Sequence, residues 1–404
     1  MTINRKSYIL YKDNNITLFC VLLFLYIITE TCRMSISPNS EINDLRMQYE
    51  FRSYSFSKFK KTIVCQKILD SIQKNKIEPA CYWAAELICA GHYMDLWELF
   101  LKYVGKHIHL GNPKIVKYLE MRYTIFNNII KNGHFSSELQ LRNNATIRKI
   151  FAEIIVVLSY SDRKYSLVPI QINREEEFDI SQIREKLIAP SATYADCFFK
   201  KDDPRELFIA LNEFVYSISL ERHNMRDACY WIEWIIDFDA LCRKRREPMY
   251  CERRKESELV DYKLQTDVIW IVWETLVAQS KLRGTFIESI MQSILKLFSI
   301  KYTTAASKKR RYLLYFAIAI LTEPVPMHIE LTTKKDIIEI VMNRIDDIYC
   351  QIKKNEISPN MNYLYSNLEK EMNLEKSLRK IDMMNSMGIL PKIEETNELH
   401  KNER

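Results

Sequence analysis

The chain has 404 residues, of which 47% are hydrophobic and 12% aromatic, and this apolar content can fill the cores of about two or three ordinary domains. Six glycines and eleven prolines are too few for a loop-rich sandwich or a doubly wound sheet, and Leu, Ile, Lys and Glu recur at helical spacing. The formal charge of +7 is modest for this length, so any affinity for nucleic acid must come from local clusters. These features predict a globular, nearly all-helical protein.

Residues 1–33 form a hydrophobic leader with an apolar run from Ile16 to Ile28. A secretory signal is disfavoured, because no small-x-small cleavage site follows and the ten cysteines show no disulfide framework. A membrane anchor needs about 20 apolar residues, and this run reaches that length only with its flanks. The alternative is a chain that starts at Met34, where a sequence typical of a soluble protein begins. The anchor and the later start both stay open.

An N-terminal helical half is predicted over 34–170, with the sequence ACYW at Ala80 to Trp83. Pro79 suits the first turn of a helix, and Gly91 suits the position after its end. A helix over 62–72 precedes this one, and an apolar helix over 145–160 follows. Apolar residues surround most of each helix, which is typical of segments packed on several sides.

A polar connecting segment over 171–203 leads to a C-terminal helical half over 204–350, in which ACYW recurs at Ala228 to Trp231. Asp203, Pro204 and Glu206 resemble a cap followed by a first helical turn. Further apolar helices are predicted over 266–282 and 312–321. Residues 351–404 are predicted as an amphipathic helix, which docks on its own protein or on a partner, followed by a polar tail.

The simplest explanation of the repeated tetrapeptide is an internal duplication, and coincidence between two buried helices is the alternative. The duplication places the same side chains in one structural position of both halves, namely Cys81, Tyr82 and Trp83 in the first and Cys229, Tyr230 and Trp231 in the second.

Catalytic and cofactor motifs are absent from the sequence. The glycines cannot make a phosphate-binding P-loop or a dinucleotide turn, and no nucleophile elbow, zinc-protease helix, kinase set or deaminase signature is present. Cys89, His92, His107 and His109 contain pairs that can ligate zinc, but their spacing matches no zinc module. We therefore predict no metal and no cofactor, and we favour a protein that is not an enzyme, although a site assembled from acids distant in sequence stays open.

Two basic clusters could bind a phosphate backbone by releasing its counterions. They can equally be a helix C-terminus and a solvated loop, because cations stabilise the C-terminal end of a helix. The first cluster comprises Arg243, Lys244, Arg245, Arg246, Arg253, Arg254 and Lys255, and the second comprises Lys308, Lys309, Arg310 and Arg311.

Several stretches of Phe56 to Ser280 resemble an uncharacterised protein family of nucleocytoplasmic large DNA viruses, the giant viruses. The stretches are ACYWAAELICAG, KHIHLGNPKIVKYLEMR, IRKIFAEII, FKKDDPRELFIALNEF and ACYWIEWIIDF with the following CERR. The resemblance brings no known activity, fold or catalytic residue. It implies work in the cytoplasm of an infected host cell, in a viral factory or in the virion.

Three functions are therefore considered. The first is a non-enzymatic helical scaffold or adaptor that contacts other proteins in viral replication, transcription or assembly. The second is a nucleic-acid-associated factor that uses clusters 243–255 and 308–311. The third is a viral component anchored to a membrane through residues 16–28.

Overall fold

The computed structural model describes residues 40–133, 137–174, 178 and 183–357. This part of the chain is all-helical and contains no strand, only an isolated antiparallel bridge between Tyr54 and Lys60. The predicted all-helical class is thus confirmed for the described residues. The longer helices are α1 (Lys61–Gln73), α2 (Ile77–Cys89), α3 (Tyr93–Tyr103), α4 (Ile115–Asn132), α5 (Ala145–Tyr160), α6 (Phe208–Ile218), α7 (Met225–Lys244), α8 (Ile269–Lys281), α9 (Thr285–Phe298), α10 (Arg311–Thr322) and α11 (Lys335–Lys353).

Short helical turns lie between the longer helices. The α-helical turns are Gln48–Phe51, Glu138–Arg142 and Ala306–Lys309, and Val104–Ile108 is a π-helical turn. The 3-10 turns are His109–Gly111, Arg184–Lys186, Arg205–Leu207, Lys255–Ser257 and Tyr262–Leu264.

Local sequence signals explain where several helices begin and end. The Asn144 side chain accepts a hydrogen bond from the Ile147 amide at 3.0 Å and caps α5, and Asn224 caps α7 in the same way through the Asp227 amide. Gly91, with φ of +75°, follows the last turn of α2 in the left-handed conformation that glycine tolerates best. The helix predicted over 145–160 is observed with those bounds.

The start of α6 differs from its prediction. Pro204 occupies the N-cap of the 3-10 turn Arg205–Leu207, and α6 begins only at Phe208. The Asp203 carboxylate accepts hydrogen bonds from the backbone amides of Lys200 and Glu252, at 2.8 and 2.9 Å, instead of capping a helix. A buried arginine holds it there, as described below.

The core contains two helices that are buried almost all round. On α5 every residue from Ile147 to Ser159 is buried, and on α10 every residue from Tyr312 to Leu321 is buried. Helix α5 packs against α2 and α11, whereas α10 packs against α7, α9 and the π-helical turn. At that turn a Cβ atom on Gly105 would lie 2.7 Å from the backbone carbonyl of Tyr312, so only glycine permits this approach.

Among the described residues, 40–42 and 46–355 belong to one compact unit, to which both predicted halves contribute. Helix α4 packs against α9, for example, and α11 packs against α2. Residues 43–45, 356 and 357 belong to a second unit, in which the Asn43 amide donates to the Glu356 carboxylate at 2.8 Å. The predicted boundaries at 171–203 and 351–404 stay a prediction.

Two predicted segments lie outside the described residues, namely the leader 1–33 and the part of the C-terminal amphipathic helix beyond residue 357. Within the described residues, no helix combines the length and the apolar character that a bilayer span requires. Because Ile16 to Ile28 lies outside this part, the membrane anchor stays a prediction.

Candidate functional site

The first ACYW sequence forms an aromatic corner at the protein surface. The rings of Tyr82 and Trp83 meet edge to face with centroids 5.4 Å apart, and the Phe59 ring meets Trp83 in the same way at 5.3 Å. Tyr82 and Trp83 are half-buried, whereas Phe59 is 43% exposed. Cys81 behind them is buried, and burial raises the pKa of its thiol to about 12, which makes it unreactive. We call Phe59, Tyr82 and Trp83 the aromatic corner.

The second ACYW sequence lies deeper in the protein. Tyr230 and Trp231 also meet edge to face, at 5.1 Å, but Trp231 is buried and its ring lies 6.3 Å from that of Trp234. Trp234 in turn stacks on Phe238 at 4.8 Å. Burial also raises the pKa of Cys229 well above its ordinary value. This copy is therefore a core element.

Arg254, predicted as a nucleic-acid contact, is instead buried in an internal ion pair. Its two terminal nitrogens donate to the two carboxylate oxygens of Asp203, and both side chains have no exposed surface. Its Nε donates to Glu274 at 2.6 Å, and a terminal nitrogen donates to the Phe198 carbonyl at 3.2 Å. Arg254 thus ties the long connection between α7 and α8 to the segment that precedes α6.

Arg310 and Arg311 are also internal to the fold. The Arg310 guanidinium is buried and binds Glu98 of α3, with an Nε to Oε1 distance of 3.1 Å. Arg311 lies 3.3 Å from Glu233, whose other oxygen accepts from the Tyr315 hydroxyl at 2.7 Å. Burial raises the pKa of Glu233. These two arginines join α10 to α3 and α7.

Arg243 takes part in a polar network between α7 and the start of α8. Its Nε donates to Asp239 and a terminal nitrogen donates to Asp267, both at 2.8 Å. The second Asp267 oxygen accepts a hydrogen bond from the Tyr302 hydroxyl at 3.0 Å. The same Tyr302 hydroxyl lies 3.0 Å from the Ser307 hydroxyl. Burial raises the pKa of the Asp239 carboxyl.

The other predicted cations are exposed. Lys308 lies 3.2 Å from Asp237 in an ion pair that leaves the lysine 55% exposed, and the Arg253 guanidinium stacks on the Tyr262 ring at 3.6 Å. The remaining predicted cations have no carboxylate of the described residues within 4.0 Å of their side-chain nitrogens. They are Lys244, Arg245, Arg246, Lys255 and Lys309.

Parts of the two basic clusters, distant in sequence, meet in space. A cavity of about 410 Å³ is lined by Arg243 together with Lys308 and Lys309. A second cavity, of about 420 Å³, is lined by the same two lysines together with Lys102 and Arg311. The turn Ala306–Lys309 thus contributes to both cavities. Lys102 was not predicted, because a single lysine on an amphipathic helix gives no local signal.

The histidines considered as metal ligands each bind another group. His92 Nε2 lies 3.0 Å from the Tyr54 carbonyl, His109 Nε2 lies 2.6 Å from the Tyr165 carbonyl, and His107 Nδ1 lies 2.7 Å from the Ser166 hydroxyl. In the part of the chain that the structure describes, no three His, Cys, Asp or Glu residues are grouped to hold a metal ion. Cys89 is a buried cysteine that is not in a disulfide.

Comparisons with protein-family models, with curated proteins and with solved structures found no match for this chain. No residue role can therefore be transferred from another protein, and the roles of these side chains follow from their own contacts.

Proposed function

We propose that this chain is a non-enzymatic helical scaffold or adaptor that binds other proteins in the replication, transcription or assembly of a large DNA virus. The observation that carries the proposal is the aromatic corner, where Trp83 on α2 and Phe59, just before α1, present ring surface to solvent. Ile63, within the first turn of α1, is 50% exposed. Its place of action is the cytoplasm of an infected cell, a viral factory or the virion.

Aromatic side chains held on rigid elements suit protein binding for a physical reason. Tyr and Trp bury large areas and lose little conformational entropy on binding, and they are enriched among the residues that dominate interface energies. The Trp83 ring is already held between Phe59 and Tyr82, so a partner gains this contact without paying to order the tryptophan.

The experiment is affinity capture from infected cells followed by mass spectrometry, with two variants compared against the unchanged chain. Phe59→Ser combined with Ile63→Ser removes exposed apolar surface at the corner and in the first turn of α1, and we expect at least one partner to be lost. The matched control is Leu282→Ser, which removes a side chain that is 68% exposed at the end of α8 and should retain every partner. Identical partner sets for both variants, with equal thermal midpoints, would refute the role of the corner.

We also propose that the two ACYW helices arose by internal duplication. In support, each is the second helix of a packed pair, α1 with α2 and α6 with α7. In each, the Ala and Cys are buried and the Tyr and Trp rings meet edge to face. An experimental structure in which the two pairs fail to superpose, helix on helix in the same order, would contradict the duplication.

A second candidate function is association with nucleic acid. The observation that favours it is the meeting of Arg243 with Lys308 and Lys309 at one cavity. Charge reversal at Lys244, Arg245 and Arg246 tests the role of the first cluster and spares the ion pairs of Arg243. If salt-dependent retention on DNA does not change, that cluster does not carry the binding.

A further inference from the structure

The turn Ala306–Lys309 collects positive charge from distant parts of the chain. Lys308 and Lys309 line both cavities, Lys102 of α3 lines one of them, and Arg243 of α7 lines the other. These residues come from three separate helical segments, so the concentration of charge is a product of the fold. The Lys102, Lys308 and Lys309 side chains are called the lysine ridge below.

The carboxylates near the ridge already have cationic partners. Asp95 lies 3.0 Å from Lys61, and Glu98 binds the buried Arg310. Asp239 and Asp267, in the other cavity, both bind Arg243. Within the described residues no carboxylate lies within 4.0 Å of Lys102 or Lys309. Lys308 is paired with Asp237 at 3.2 Å but stays 55% exposed, so the positive charge that nearby acids do not neutralise lies on Lys102 and Lys309.

The backbone of the ridge is held in place on both sides. Ser307 is tied to the buried Tyr302 hydroxyl at 3.0 Å, and the Arg310 guanidinium donates both to Glu98 and to the Phe298 carbonyl. Binding of a ligand to Lys308 and Lys309 therefore does not require the loss of conformational entropy that ordering this turn would cost. By contrast, Lys244 is the last residue of α7, and Arg245 and Arg246 follow it directly before Glu247.

We propose that the lysine ridge binds phosphates of a nucleic-acid backbone, an inference that rests on the second candidate function above. Two cavities that share one turn suit an extended polyanion with several phosphates better than a small ligand in a single pocket. Lysine ammonium groups bind phosphate as point charges and read no base edges, so the binding is independent of sequence. Each occupied lysine releases condensed counterions, which makes the affinity depend on salt.

The experiment measures fluorescence anisotropy of labelled single-stranded and duplex oligonucleotides of about 20 nucleotides with the full chain, between about 50 and 200 mM salt. In the variant Lys102→Gln with Lys309→Gln, we expect the slope of log affinity against log salt to fall by about 1.5, because two phosphate contacts are lost. The matched control, Lys244→Gln with Arg245→Gln, removes the same charge elsewhere and should keep the wild-type slope. Circular dichroism checks that all variants are equally folded.

The possible results separate the ridge from the broader function. If the control loses slope and the ridge variant does not, the ridge assignment is wrong and the nucleic-acid function stands. If the wild-type chain binds neither oligonucleotide at the lowest salt, both are wrong. If tripolyphosphate binds the wild-type chain and the oligonucleotides do not, the ridge recognises phosphate but the assignment to nucleic acid is overturned.

Discussion

Replacement of Arg254 by methionine separates a structural arginine from an exposed one in the same basic cluster. The Arg254 side chain has no exposed surface and donates to both oxygens of Asp203, which is equally buried. Methionine fills much of the same volume but leaves the Asp203 carboxylate buried without its cation. Breaking a buried ion pair by removing one partner costs about 3–5 kcal/mol.

The neighbouring Arg253 is the matched control, because it lies next to Arg254 in sequence and is exposed. Its guanidinium stacks on the Tyr262 ring at 3.6 Å, a contact worth about 0.5–1 kcal/mol at an exposed site. The Arg253→Met variant should therefore lose no more than about 1 kcal/mol. The two substitutions change the net charge equally, so the comparison isolates burial.

Urea unfolding followed by far-ultraviolet circular dichroism measures the difference. With a denaturant slope of about 3 kcal/mol per molar urea, Arg254→Met should lower the midpoint by about 0.7–1.5 M relative to Arg253→Met. The double variant Arg254→Met with Asp203→Asn should cost less than the sum of its single changes, because neither partner is then left as an unpaired charge. Equal midpoints for the Arg254 and Arg253 variants would refute the structural assignment.

Three further substitutions test other parts of the fold. Gly105→Ala places a Cβ atom 2.7 Å from the Tyr312 carbonyl and should cost about 1–3 kcal/mol of unfolding free energy, measured in urea, and an unchanged midpoint would contradict this packing. Burial lowers the pKa of His107 from 6.5 to about 4, so the unfolded chain binds this proton at a higher pH than the folded chain does. The free energy of unfolding should therefore fall as the pH drops from 6.5 towards 4. The His107→Asn variant should show a shallower decline. Burial raises the pKa of Glu153, and Arg122, 2.5 Å away, opposes this shift. The Arg122→Met variant should therefore lose about 3–5 kcal/mol of unfolding free energy near pH 7, and less near pH 5, where Glu153 is more readily protonated. A loss that does not depend on pH would contradict the pairing.

Helix content could be predicted from the sequence because its signals are local. The apolar run over 145–160 became α5, and the run over 312–321 lies within α10. Both are buried almost all round, as expected for runs without a polar face. Gly91 follows the end of α2 because its backbone adopts a positive φ, which glycine tolerates better than other residues do.

The candidate site could be predicted only in part. The two charge clusters can be recognised in the sequence, and three of their members, Lys244, Arg245 and Lys309, are exposed in the structure. Cys81, Tyr82 and Trp83 were predicted as a repeated structural position, but the sequence did not predict the contact of Trp83 with Phe59, which lies outside the tetrapeptide. Lys102 was missed because nothing in its own helix marks it.

The sequence by itself determined which segments become helices and where positive charge is dense, since both depend on residues within a few turns of one another. Only the tertiary structure decided what each cation does. Arg254 finds Asp203 at a separation of 51 residues, and Arg310 finds Glu98 at 212. Arg253 and Arg254 are adjacent and chemically identical, but Arg254 is buried in the core and Arg253 is exposed to solvent. Packing between distant helices decides whether a charge is buried, and a charge that is buried requires a partner of opposite sign.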